Sequence, residues 1–353
     1  MQDGKWRKGS TAGIDPHIAA RLEKAIYALR AGCLDSATLD GLLADLDRLP
    51  PDMAQQVARL SASVFRYRLP SDPEPTLLGR LLAIRKNRPE KPSPAVPPGR
   101  SAWLRMCHPD GFVRELALHE LADAPASALR LALLLMRFDD WAAPVAAAGR
   151  AAFTRLAPSI PLSAAQGIAP LIADHHVKRR GRMDLAAPVI DLLTREESWP
   201  ALLCWLTAST DNTVAAVMRL LLLSDRLDRA LAQLLTARHY LVRALAARTL
   251  ISGHAEIVAG RTKKTEATFA GRQSSDVPAL VTRPITIAPD VAATLRQAAQ
   301  DRTTTVRKIA ADGLIANRDR LGDLDALLAL FDKEPNGAIR ERIDFIRRRR
   351  VSP

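Results

Sequence analysis

Aromatic residues make up only 4% of this 353-residue chain, and it holds three cysteines. With hydrophobic residues at 48%, the apolar surface falls mostly to Ala and Leu, which suit closely packed helices better than sheets. Cys33, Cys107 and Cys204 are far apart and odd in number, so neither a disulfide framework nor a CxxC zinc site can be read. That usage fits a reducing cytoplasm. Long apolar runs are missing too: LALLLM (131–136) and LLLL (220–223) are too short for a bilayer, so no membrane span is expected. The opening MQDGKWRKGSTAG is basic, but no apolar segment of a secretory signal follows it. The GxSxG, GxGxxG and P-loop patterns are absent, and nothing nominates a catalytic nucleophile or a cofactor.

What the chain has in excess is positive charge. Its formal net charge is +13, which attracts polyanions such as nucleic acid, acidic proteins or an anionic surface. The competing reading is that GC-rich coding supplies Arg, Ala and Pro together without any demand for phosphate binding. Two runs concentrate the charge, KRRGR at 178–182 and RRRR at 347–350. Lys178, Arg179, Arg180 and Arg182, with Lys263, Lys264 and Arg272 as companions, are candidate contacts for nucleic acid or an acidic partner. The run at 347–350 reads first as a cap that complements a helix C-terminal dipole.

Residues 1–13 read as a flexible basic leader and 14–84 as a small helical N-terminal region. In that region Asp15 and Pro16 open a helix that Gly32 closes, and further helices are predicted at 36–48 and 52–67. Pro89, Pro92, Pro94, Pro97 and Pro98 prevent a continuous helix, so 85–100 reads as a linker.

Beyond residue 100 the chain repeats itself. Val113-Arg114, Val242-Arg243, Val306-Arg307 and Ile339-Arg340 are each followed four residues later by Ala117, Ala246, Ala310 or Ile343. The first three add Leu121, Leu250 and Leu314 at plus eight. Val145 with Gly149 and Phe153 is a weaker copy that has Ala146 in place of Arg, and Val214, Met218 and Leu222 suggest another. From 113 to 145, 242 to 306 and 306 to 339 the steps are 32, 64 and 33 residues, so the period is near 32. Offsets of zero, four and eight share one helical face, and the small central residue lets a neighbouring helix approach. Asp110, Asp140, Asp211, Asp301 and Asn336 are expected to cap these helices, and a second amphipathic run precedes several of them, at 126–138, 227–237, 290–300 and 322–332. Between 253 and 289 the helical period is lost, which reads as a non-helical insertion, with VTRPITIAP running extended.

Over roughly 101–349 this pattern resembles the HEAT-repeat superfamily, especially its shorter variants with a D...VR..A...L second helix. The resemblance implies an all-α fold, an α-solenoid of stacked antiparallel helix pairs, and says little about function. On that reading Arg114, Arg243, Arg307 and Arg340 are structural, a ladder meeting acids or carbonyls of the adjoining turn, with Asp301 or Asp332 expected for Arg307.

Three constellations compete with a purely structural reading. Asp174-His175-His176 is similar to a phosphoesterase metal motif, but the other ligands of that motif are missing. His119-Glu120 is a single pair where HEAT-like hydroxylases repeat several. Asp140-Trp141 invites comparison with HEAT-like glycosylases of alkylated bases, without a matching remainder. The function expected is therefore a non-enzymatic scaffold or adaptor that takes a protein or peptide in the solenoid groove. The alternative is a nucleic-acid-binding HEAT-like protein, including a repair protein of the glycosylase type.

Overall fold

The computed structural model describes residues 13–66, 98–178, 185–268 and 271–351. The expected linker falls outside these apart from its last three residues, as do the leader to residue 12 and the N-terminal region beyond residue 66. The chain is predominantly helical, with one two-stranded sheet among the described residues. It forms two compact units, Met1–Ile168 and Ala169–Pro353.

In the first unit, α1 (Pro16–Arg30), α2 (Ser36–Leu46) and α3 (Ala54–Arg66) make the N-terminal group. Helix α1 starts where the sequence places it: the Asp15 carboxylate accepts from the His17 amide at 2.7 Å, and Pro16 occupies the first turn, where its missing N–H costs nothing. The unit continues with α4 (Pro98–Arg105), α5 (Gly111–Glu120), α6 (Ala128–Leu135) and α7 (Ala143–Leu156). Helix α3 packs on α6. Arg130 of α6 reaches the Asp47 carboxylate just after α2 (Nε to Oδ1 2.6 Å), with its guanidinium 5.3 Å from the Trp103 ring centre. The N-terminal helices thus share a compact unit with the first repeat motifs. Helices α5 and α7 pack against each other, and a Cβ built on Gly111 would lie 3.7 Å from the Ala142 Cβ.

The division between the units falls inside α8 (Leu162–Lys178). In the second unit follow α9 (Ala186–Leu193), α10 (Trp199–Ala208), α11 (Thr213–Leu221), α12 (Leu231–Leu234), α13 (Tyr240–Ser252), α14 (Val291–Ala299), α15 (Thr304–Asn317), α16 (Leu324–Ala329) and α17 (Gly337–Val351). The motif helices pack in succession, α11 on α13, α13 on α15 and α15 on α17, while α12 backs α13 and α14 backs α15. The 0, 4, 8 stripe is buried: Val242, Ala246 and Leu250, Val306, Ala310 and Leu314, and Ile339 with Ile343. Burying each branched residue contributes about 1.5–3 kcal/mol, which is why the spacing persists. Val113 is the exception and is only half-buried. Close approach shows at Gly313, where an added Cβ would come within 2.5 Å of the Ile251 Cγ2.

The predicted helix at 227–237 is instead a 3₁₀ turn, Asp225–Ala230, followed by the four-residue α12. The tighter winding keeps Leu227, Ala230, Leu231 and Leu234 inward together with the buried Asp228. The insertion is an antiparallel ribbon of β1 (His254–Thr268) and β2 (Gly271–Pro284), paired from His254 opposite Pro284 to Thr268 opposite Gly271, with a bulge at Ala259. Of the stretch VTRPITIAP, only 281–284 lies in a strand. Gly253 allows the turn from α13 into β1: its φ of 72° is left-handed, a conformation that favours glycine.

Candidate functional site

The repeat arginines occupy one position, the fourth residue of α5, α13, α15 and α17. From there each side chain folds back over the preceding turn. Nη1 of Arg114 donates to the carbonyls of His108 and Pro109, each at 2.9 Å. Arg243 does the same to Ala237 (2.8 Å) and Arg238 (2.9 Å), and Arg340 to Glu334 (3.0 Å) and Pro335 (2.7 Å). Arg307 donates to the Asp301 carbonyl at 3.0 Å. These carbonyls lie five or six residues upstream, so this half of each contact is local.

The other edge of the guanidinium reaches forward. Arg114 grips Asp140 with Nε (3.0 Å) and Nη2 (2.8 Å). Arg243 grips Asp301 at 2.6 and 3.0 Å, and Arg307 grips Glu334 at 2.7 and 3.1 Å. Such paired, charge-assisted bonds are strong and fix geometry. Each acid also holds its own turn: Asp140 accepts from the Ala142 amide, Asp301 from Thr303, and Glu334 from Asn336. Asp110 accepts from Phe112, and Asn336 from Ala338 and Ile339, as capping predicts, while Asp211 accepts from Thr213 from one residue ahead of the cap position, Asn212. Asp140 and Asp301 instead hold the turn just ahead of the helix, because their carboxylates face the arginine of the preceding motif. Arg307 meets Asp301 through its carbonyl and Glu334 through its carboxylate, whereas Asp332 pairs with Arg347. Among the described residues no carboxylate pairs with Arg340.

The sequence carries a signal for Glu334. An acid stands six residues before Ala146, Arg307 and Arg340, the arginine positions of the motifs that follow Arg114, Arg243 and Arg307. Where α11 carries Ala215 in place of arginine, the corresponding position before Arg243 is Ala237. At these four junctions donor and acceptor are present or absent together, and Arg340, in the last motif, has no acid ahead of it among the described residues.

A second missed cluster anchors the ribbon. Asp228, fully buried, accepts from Arg283 Nη1 (2.9 Å) and Nη2 (2.7 Å), from the Thr286 amide (2.8 Å) and from the Thr286 hydroxyl (3.0 Å). Arg283 also donates to the Ser224 carbonyl at 2.8 Å. Burial alone would push the Asp228 carboxyl up, but the bonds from Arg283 and Thr286 outweigh it and hold the group below the usual range. Asp301 is lowered in the same way, burial opposing and Arg243 with Thr303 prevailing. Glu334 is lowered chiefly by the Arg307 bonds.

All three carboxylates therefore bind protons less readily folded than unfolded. Their stabilisation is complete above the ordinary carboxylate range near pH 4 and is lost as pH falls through the lower folded values. Melting temperature should therefore fall on acidification below about pH 4 through this contribution. The double variant Asp301→Asn, Glu334→Gln should show a shallower acid limb by circular dichroism. An acid limb as steep as that of the unaltered chain would refute the assignment.

Of the other candidates, Lys178 ends α8, and Arg179, Arg180 and Arg182 lie outside the described residues. Lys263 and Lys264 fall in β1 opposite Asp276 and Ser275, and Arg272 in β2 opposite Ala267. The register puts positions 263 and 272 on one face of the ribbon and 264 on the other. Asp174 lies in the last turns of α8, ahead of residues 175 and 176. Asp140 accepts from Arg114, Arg137 and Ala142, so its carboxylate is committed to the turn, and Trp141 lies over Arg114 at 5.9 Å. His119 lies 4.0 Å from Glu115, and Glu120 pairs with Arg105. Among the described residues no three His, Cys, Asp or Glu side chains converge as a metal site, and no helix is long and apolar enough to cross a membrane. No family model matches the chain, and neither does any curated protein or solved structure.

Proposed function

We propose that the chain is a HEAT-like α-solenoid protein that works as a non-enzymatic scaffold, holding a protein or peptide against the outward face of its motif helices. The recurrence of one bonding scheme in α5, α13 and α15 supports the repeat reading, since each arginine ties its own turn to the turn of the next motif.

The observation that carries the scaffold reading is an exposed apolar row in the first unit. Phe112 is 69% exposed and Leu116, one turn on, 41%, while Trp141 just ahead of α7 is 86% exposed. On α7, which packs against α5, the small residues Ala143, Ala147 and Ala151 are exposed. Large aromatics left in water beside small residues form an apolar surface with ready-made anchors for an amphipathic segment.

A photoreactive residue at position 116 tests this. A protein crosslinked there should bind the purified chain directly, and the double variant Phe112→Ser, Trp141→Ser should lose affinity at least about tenfold with an unchanged melting temperature, as hot-spot anchors do. A chain that crosslinks no protein at 116, or whose affinity survives the double variant, is not a scaffold of this kind.

A further inference from the structure

The run at 347–350 is divided by the fold. Arg347 is occupied: it pairs with Asp332, lies 3.9 Å from Asp344 and donates to the Leu328 carbonyl at 3.3 Å. Earlier in α17, Arg342 pairs with Asp312 and Arg340 caps carbonyls. Arg348 and Arg349 are exposed and form no ion pair among the described residues. Instead both line an open cleft of about 600 Å³ together with Arg318, Asp319 and Phe345. Phe345 holds Arg349 in place, the guanidinium lying 4.9 Å from the ring centre. Among the described residues Arg318 pairs with one carboxylate, Asp319 at 3.4 Å, which is itself 83% exposed. Three guanidinium groups thus face one solvated carboxylate. A second cavity shares Arg318, Asp319 and Arg349 with this cleft and adds Asp323 and Asp325, so the positive excess belongs to the part that Arg348 and Phe345 line.

We propose that this cleft binds the phosphodiester backbone of a nucleic acid. Guanidinium groups match phosphate oxygens in paired geometry and shed water more readily than ammonium groups. An open cleft beside the end of a helix lets a strand run through, where an enclosed pocket would select a small molecule. The chain's net charge of +13 brings a polyanion to the surface, and these three arginines then supply contacts that the ladder leaves free. The proposal does not rest on the scaffold reading, because it concerns another unit and other residues.

The test uses the full chain and fluorescence anisotropy with a labelled oligothymidylate and a labelled duplex across a salt series. The triple variant Arg318→Gln, Arg348→Gln, Arg349→Gln should lose at least about tenfold in affinity for one or both probes, and the slope of log K against log salt should fall by about two or more. A control removes the same charge elsewhere in the second unit, at the exposed Arg219, Arg296 and Lys308, each replaced by Gln. It should bind nearly as the unaltered chain does. If the triple variant unfolds, Arg348→Gln alone keeps the readout, with a slope change of about 0.7 for a single strand. Equal losses in the two triple variants would mean diffuse attraction without a site and overturn the proposal. So would no binding of either probe at low salt, or cleft-dependent binding only to a phosphopeptide or to vesicles of phosphorylated lipid.

Discussion

Arg243→Met should cost the protein about 3–5 kcal/mol, the range found when one partner of a buried ion pair is removed. The side chains of Arg243 and Asp301 are 5% and 10% exposed, so the substitution strands a carboxylate with little water to receive it. It also leaves the carbonyls of Ala237 and Arg238 without their donor. Chemical denaturation followed by circular dichroism should rank the repeat arginines by how much they hold. Arg114, with a side chain 5% exposed, should match Arg243, and Arg307, at 16%, should cost less. Arg340, which caps two carbonyls, should cost least. The double variant Arg243→Met, Asp301→Ala should recover part of the loss, because no charge is then left alone. An Arg243→Met no worse than Arg340→Met would sink the ladder as a source of stability. An Arg307→Ala that melts unchanged but no longer binds a partner would turn a structural residue into a recognition residue.

Asp228→Ala should be comparably costly, about 3–5 kcal/mol, and its effect should be concentrated at the foot of the ribbon. One carboxylate there gathers Arg283, the Thr286 amide and the Thr286 hydroxyl, and Arg283 in turn reaches the Ser224 carbonyl. A two-stranded ribbon is marginal by itself, so this one depends on how its base is fastened. Hydrogen exchange reads this directly. The Ile285 amide, bonded to the Gly253 carbonyl at 3.0 Å, and the Thr286 amide should lose protection in Asp228→Ala, while amides in the middle of α15 change less. Unchanged protection at 285 and 286 would show that the ribbon is held by something else.

How far the site could be read from the sequence differs between the two halves of each arginine contact. The backward half was readable, since the carbonyls lie five and six residues upstream and follow from a helix start after a short turn. The forward half joins residues 26, 58 and 27 positions apart, and the middle separation is stretched by the ribbon between α13 and α14. Asp332, two residues before Glu334, offers the same charge, and only the turn geometry chooses between them.

The helical character, the buried Val, Ala and Leu stripe and the common place of the arginines are legible in the sequence alone, because they follow from a periodicity of a few residues and from which side chains avoid water. Only the tertiary fold selects the acids that Arg114, Arg243 and Arg307 meet, ties the ribbon down through Asp228 and Arg283, and pairs Arg347 while Arg348 and Arg349 form no ion pair among the described residues. Those outcomes depend on which distant segments come within about 3 Å, the reach of a hydrogen bond, and no local pattern encodes that distance.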